Sequence, residues 1–170
     1  MDRKLFIVCL LLVMGAADWG QSSGNEWNKY SNAAGKFSVL LPGTPAESTK
    51  TSRVGLVHRF GIKQPTRLFL VTYADFPESE LKQAPSARLA GSKEDFLSMY
   101  RCKLISEREF KFRHTGMDLP ALDFNCGTGS AIFTVRTILN GRRVYGLVAG
   151  INSSASSGDA ERFLSSFSVN

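Results

Sequence analysis

Histidine is nearly missing from this chain: His58 and His114 are the only two in 170 residues. Neither has a second His, Cys or carboxylate at metal-ligand spacing, so no metal site is expected. Nucleophile signatures are scarce too. There is no G-x-S-x-G elbow, and Ser130 in Gly127-Thr128-Gly129-Ser130-Ala131 lacks that frame. Gly35-Lys36 is no P-loop, because Phe37 stands where Ser or Thr belongs and the upstream glycine is missing. Gly127-x-Gly129 has no third glycine and opens no helix, so no cofactor is expected. No C-x-x-C pair supports thioredoxin-type redox work. No nucleic-acid motif is present, and no nucleic-acid partner is expected.

What remains is ordinary globular material: 43% hydrophobic, 21% charged, with 15 Gly and 6 Pro. The length suits one domain. The start carries an address. Met1-Asp2-Arg3-Lys4 is a short basic stretch, Leu5 to Met14 is uncharged and apolar, and Gly15-Ala16-Ala17 supplies small residues. That order predicts a signal peptide over 1–17, cleaved near Ala17, and a secreted or periplasmic protein. The apolar run reaches about 13 residues against the roughly 20 a membrane span needs, so retention as an anchor is the weaker reading. No later run has membrane length, and no membrane span is expected after cleavage. Processing removes Arg3, Lys4 and Asp2, which lowers the net charge by one from +6. A basic surface favours acidic partners, such as anionic glycans, lipid headgroups or acidic proteins.

Cleavage also removes Cys9 and leaves Cys102 and Cys126. Two cysteines in an exported chain predict one disulfide, with two buried free thiols as the alternative.

Residues 18–35 are rich in Gly, Ser and Asn and read as a flexible leader whose second half docks on a domain spanning 36–170. Phe37 to Leu41 is a short apolar strand stopped by Pro42-Gly43. Over 51–62, Val54, Leu56, His58, Phe60 and Ile62 share one face, which makes His58 a packed histidine rather than a ligand. Arg67 to Asp75 is apolar on both sides, a strand covered on both faces. Ala131 to Leu139 is similar, and Asn140-Gly141 turns it back into Arg143 to Ile151 as a hairpin. Strands also lie near 103–113 and 119–125, and His114 falls in a turn. Helices are expected over 86–102, with Ser92 capping its second half, and over 159–167 behind Ser157 or Gly158. The order fits an α+β fold: an antiparallel sheet of about six to seven strands with helices on its faces.

Phe37-Ser38-Val39-Leu40-Leu41-Pro42-Gly43-Thr44-Pro45, Tyr73-Ala74-Asp75-Phe76-Pro77, Arg136 with Tyr145, and Glu161 to Phe167 resemble segments of a group of small secreted bacterial proteins of unknown function. In layout the chain is similar to the superfamily of PsbP, the extrinsic subunit of the photosynthetic oxygen-evolving complex. The resemblance covers 27–169 and implies an antiparallel sheet between helical layers, an α/β/α sandwich. It carries over no metal-binding or partner-binding residue.

Candidate ligand-binding residues are Phe69, Tyr73 and Tyr145 as aromatic lining, Asp75 as a polar anchor beside Pro77, and Arg136. No catalytic residue is assigned. The loop Asn152 to Gly158 is a candidate anion site, with Arg142 or Arg143 in reach, and Asn152-Ser153-Ser154 matches a glycosylation sequon. The expected function is an exported, non-enzymatic accessory module that works through protein–protein contacts. The alternative is a carrier of a small or anionic ligand in a sheet–helix cleft; a hydrolase with a dispersed site is the last.

Overall fold

The computed structural model describes residues 26–52, 55–152 and 158–170. The signal segment, most of the 152–158 loop and the sequon's serines lie outside those residues. Ten strands and two helices follow in the order β1 (Asn28–Asn32), β2 (Phe37–Leu41), β3 (Ala46–Ser52), β4 (Gly55–Lys63), β5 (Arg67–Asp75), α1 (Pro85–Tyr100), β6 (Lys103–His114), β7 (Met117–Gly127), β8 (Ala131–Asn140), β9 (Arg143–Asn152), α2 (Gly158–Ser165) and β10 (Ser168–Val169). A 3-10 turn at Glu78–Lys82 leads into α1.

Seven strands make one antiparallel sheet in the order β3-β4-β5-β9-β8-β7-β6. Its hairpins need tight turns, and the chain supplies the residues. Thr115 and Gly116 both take positive φ (46° and 80°) between β6 and β7, the backbone a primed turn demands. At the β8–β9 hairpin Asn140 pairs with Arg143. The two-residue loop is therefore Gly141-Arg142, with Gly141 at φ 61°, one position later than the Asn-Gly signal places it.

The two faces are covered differently. On one lie α2 and a small sheet in the order β1-β2-β10, which sandwich Phe37, Phe60, Phe69, Tyr73, Tyr145, Leu147, Phe163 and Phe167 in the larger core. On the other, α1 lies over β7 and β8 and packs its Leu89 with Leu70, Leu122, Phe124, Val135 and Val148. The α+β class, the antiparallel sheet and the placement of helices on both faces agree with the sequence reading.

Three details differ from it. The second half of the 18–35 stretch is a strand, β1, paired along β2 from Asn28↔Leu41 to Asn32↔Phe37. A polar strand, β3, precedes the expected second strand and pairs with it from Ala46↔Gly61 to Ser52↔Gly55. And α1 is continuous through Gly91: Ser92 is no cap, its hydroxyl donating back to the Arg88 carbonyl at 3.0 Å. Arg88 anchors this helix. Its guanidinium lies over the Phe76 ring at 5.5 Å and donates to the Gly141 carbonyl at 3.1 Å, which ties α1 to the β8–β9 turn.

Cys102 lies two residues past the end of α1, after the Arg101 cap, and Cys126 lies near the end of β7. Their sulfurs are joined, with Cα atoms 5.6 Å apart. The expected staple thus pins the C-terminal end of α1 to the sheet it covers.

Candidate functional site

Strand periodicity assigns every sheet residue to one face or the other. On β5, Phe69, Val71 and Tyr73 point toward the larger core, and Leu70, Thr72 and Ala74 toward α1. On β9, Tyr145, Leu147 and Ala149 share the core side, and Val144, Gly146 and Val148 the helix side.

This parity places the candidate residues. Phe69 and Tyr145 are buried in the larger core, Phe69 edge-on to Trp27 at 5.2 Å. The Tyr145 hydroxyl donates to the Gly35 carbonyl at 2.9 Å. Burial raises the Tyr145 phenol, and that of Tyr73 likewise. Tyr73 is stacked between His58, 4.5 Å away and nearly parallel, and Phe60 at 5.9 Å. Arg143 lies over it at 4.8 Å. Asp75 receives both arms of Arg143, from Nε and Nη2, each at 2.8 Å. Those hydrogen bonds hold the Asp75 carboxyl below the usual carboxylate range. Arg143 also donates to the Ala34 carbonyl at 2.9 Å, so one side chain ties the end of β5 and the start of β9 to the β1–β2 turn.

Arg136 makes a second fork on Asp123, at 2.7 and 2.8 Å. It donates its remaining arm to the Leu164 carbonyl at 3.2 Å. Leu164 lies in the last turn of α2, where helix carbonyls lack intrahelical partners, so Arg136 closes that helix end. Arg67 and Asp159 pair across the other end. Acidic and basic groups on this side of the sheet are thus engaged with one another and with backbone carbonyls.

A cleft opens on the opposite side. Because α1 lies mainly over β7 and β8, the helix face of β4, β5 and β9 is left as the floor of a concavity of about 500 Å³. Phe96, Met99 and Tyr100 form its helix wall, and Lys50 and Val57 its outer wall. The rest of the floor is Leu70, Val148, Val135 and Phe124, interrupted by one polar row. Pairing aligns Arg59 with Thr72, Thr72 with Gly146 and Gly146 with Thr137 across four adjacent strands. Gly146 keeps the row open: a Cβ there would stand 2.7 Å from Thr72 Oγ1. The Thr72 hydroxyl donates to the Gly146 carbonyl at 3.4 Å. Of the five residues singled out from sequence, only Tyr73 borders this cleft. Its polar row escaped the sequence reading, although a Thr on the second face of two apolar strands, and a Gly between them, marks it.

A second feature lies at the disulfide end. The β6–β7 register steps between Leu104 and Ser106, and the bulged residue, Ile105, is turned outward to 61% exposure. Its side chain passes within 3.3 Å of the position of a Cβ on Gly127, and Gly127 pairs with Ile132, itself 52% exposed. Ile105 and Ile132 therefore meet as an apolar corner beside Cys102–Cys126, and Leu104, 42% exposed, adjoins them in the chain.

No family model matches the sequence, and no curated protein matches it. Among solved structures the chain is similar to cyanobacterial PsbP (CyanoP) from Synechocystis sp. PCC 6803. The TM-score is 0.59 at 12% identity, over 89% of this chain and 96% of that one. The fold is PsbP-like. Weaker likenesses, each with TM-score 0.36, reach a Bacteroides thetaiotaomicron protein (13% identity, 88% of this chain, 49% of that one) and a Pseudomonas aeruginosa protein of unknown function (12%, 76% and 85%); neither bears on the argument.

Proposed function

We propose that this chain is an exported, non-enzymatic accessory module that works by binding another extracytoplasmic protein. The observation that carries the reading is the apolar corner. A bulge turns Ile105 into solvent beside Ile132 and Leu104, and a disulfide stiffens the segment from which it projects. Contiguous exposed apolar side chains on a stiff frame are what a protein contact needs. The PsbP-like fold agrees with the accessory role that the sequence resemblance implies. The engaged state of Asp75, Asp123, Arg136 and Arg143 also favours a structural use of these charges over a chemical one.

The test is native mass spectrometry of the protein recovered from its own exported compartment. A second polypeptide at fixed ratio is expected, on a chain beginning at Asp18, and Ile105→Asp is expected to release it. A bare monomer, or a partner indifferent to Ile105→Asp and Ile132→Asp, overturns the reading.

A second reading is favoured by a different observation. The cleft under α1 suits a carrier of a small or anionic ligand, since ligand sites are concave and largely apolar with a few convergent polar groups.

A further inference from the structure

We propose that β6 pairs with the β6 of a second copy of this chain, antiparallel and centred on Phe110, so that the two seven-stranded sheets meet edge to edge in a two-fold dimer.

The edge comes first. β6 ends the sheet order and is hydrogen-bonded to β7 alone. Its residues from Lys103 to Glu109 are exposed, as are Lys111 and Arg113. An edge strand presents unpaired N–H and C=O groups that a further strand can take up. The bulge between Leu104 and Ser106 and the turn at Thr115 and Gly116 bound its regular stretch. That stretch, 106–114, has Phe110 at its midpoint.

Charge selects the same centre. Facing residues of an antiparallel pair point to one side of the sheet, so a two-fold axis must pass through a residue that faces its own copy. An axis on Arg108 sets Glu107 against Glu109, and one on Phe112 sets Lys111 against Arg113. Axes on Glu109 or Lys111 set a charge against itself, and any farther out runs into the bulge or the turn. With Phe110 on the axis, Glu109 faces Lys111 of the second copy and Glu107 faces its Arg113, each twice. Opposite charges directly across two strands are favourable, and like charges unfavourable. Glu107 is already bonded to Lys93 and Arg113 to Asp118. Glu109 and Lys111 have no ion pair among the described residues, so these two set the register.

Charged edges ordinarily repel other strands. Two acids followed by two bases on one face instead admit a second copy in a single register. The opposite edge lacks this property: on β3, Glu47 and Lys50 are three residues apart and lie on opposite faces, where no two-fold pairing sets one against the other. Ile105 and Ile132 lie outside the paired stretch, so the dimer and the accessory contact use different residues.

Sedimentation velocity of the exported protein, up to millimolar concentration, tests the dimer. A reversible monomer–dimer equilibrium is expected. Glu109→Lys and Lys111→Glu are each expected to weaken it about tenfold or more, since each sets like charges across the seam. Mixing the two variants is expected to restore dimers, because every such pair is then again of opposite sign. Both side chains are exposed, so the thermal midpoints are expected to stay those of the parent. A monomer at all concentrations overturns the proposal. A dimer indifferent to both substitutions, or two variants that fail to associate on mixing, overturns it as well.

Discussion

Arg143 holds Asp75 with two parallel hydrogen bonds of 2.8 Å, and the pair joins the first residue of β9 to the last residue of β5. The same guanidinium lies on the Tyr73 ring and reaches the Ala34 carbonyl. A planar five-donor group is needed for this, since an ammonium cannot fork and stack at once.

Replacing Arg143 therefore acts on stability. Arg143→Ala is expected to cost about 1–2 kcal/mol in urea unfolding, discounted because the Asp75 side chain is 42% exposed. Arg143→Lys is expected to recover less than half of the loss. An unchanged midpoint in Arg143→Ala would show the clasp to be energetically idle.

The acid side of the pair sets a pH dependence. The Asp75 carboxyl is depressed in the folded state relative to its ordinary 3.8, so its contribution is complete above about pH 4. Below that value the contribution is lost as pH falls toward the lower folded value. The difference in unfolding free energy between the parent and Asp75→Asn is expected to stay flat from pH 7 to about 4.5 and to shrink below about 4. A difference that already declines between pH 7 and 5 would assign the effect to another group.

Tyrosine governs the alkaline limb. Partial burial, then the hydrogen bond to Glu47, pushes the Tyr30 phenol up to about 12 from 10.0. A raised phenol stabilises the fold fully below pH 10, and that stability is lost as pH rises toward 12. Stability is expected to fall over that window, and Tyr30→Phe to flatten the fall. A slope identical to the parent's would exclude Tyr30.

Gly35 and Gly129 form a paired test of backbone space. A Cβ on Gly35 would stand 2.7 Å from the Phe37 ring and 2.8 Å from Tyr73, while one on Gly129 meets nothing within 4 Å. Gly35→Ala is expected to cost about 1–3 kcal/mol by overpacking, and Gly129→Ala to be neutral or slightly stabilising. Equal thermal midpoints for the two variants would refute the crowding argument.

Reduction of Cys102–Cys126 opens a loop with a sequence separation of 24 and is expected to cost about 3 kcal/mol. Unfolding with and without reductant measures it directly. A shift under 1 kcal/mol would mean that α1 is held by Arg88 and its apolar contacts alone.

The strands easiest to read were those with alternation and burial. On β4, His58, Phe60 and Ile62 share the core face as the pattern requires, and His58 packs against Tyr73. Leu56, placed with them by periodicity, is 52% exposed because it pairs with Thr51 at the open end of an edge hairpin. β3 was illegible for a related reason: Ala-Glu-Ser-Thr-Lys-Thr-Ser has no apolar rhythm, and polar edge strands discourage further pairing. The site was harder to read than the fold. Phe69, Tyr73 and Tyr145 attract notice as aromatics, but odd-numbered positions of β5 and β9 face the β1–β2–β10 layer, and even-numbered ones face the cleft. Sequence reveals that such a strand has two apolar faces; which one a helix leaves partly uncovered depends on where α1 comes to rest.

The order β3-β4-β5-β9-β8-β7-β6 contains a single join between strands that are not neighbours in the chain, β5 with β9. Every other contact in that sheet is a hairpin, formed between adjacent segments with short loops to close. The sheet is in effect two meanders, each able to assemble locally, zipped along nine residue pairs from Arg67↔Ile151 to Asp75↔Arg143. Closing that seam carries the largest loop entropy in the sheet, so it sets the pace of folding. Changes on β5 and β9 should slow refolding, whereas equally destabilising changes in the outer hairpins should speed unfolding instead. Asp75 and Arg143 sit at the mouth of that zip, as its catch.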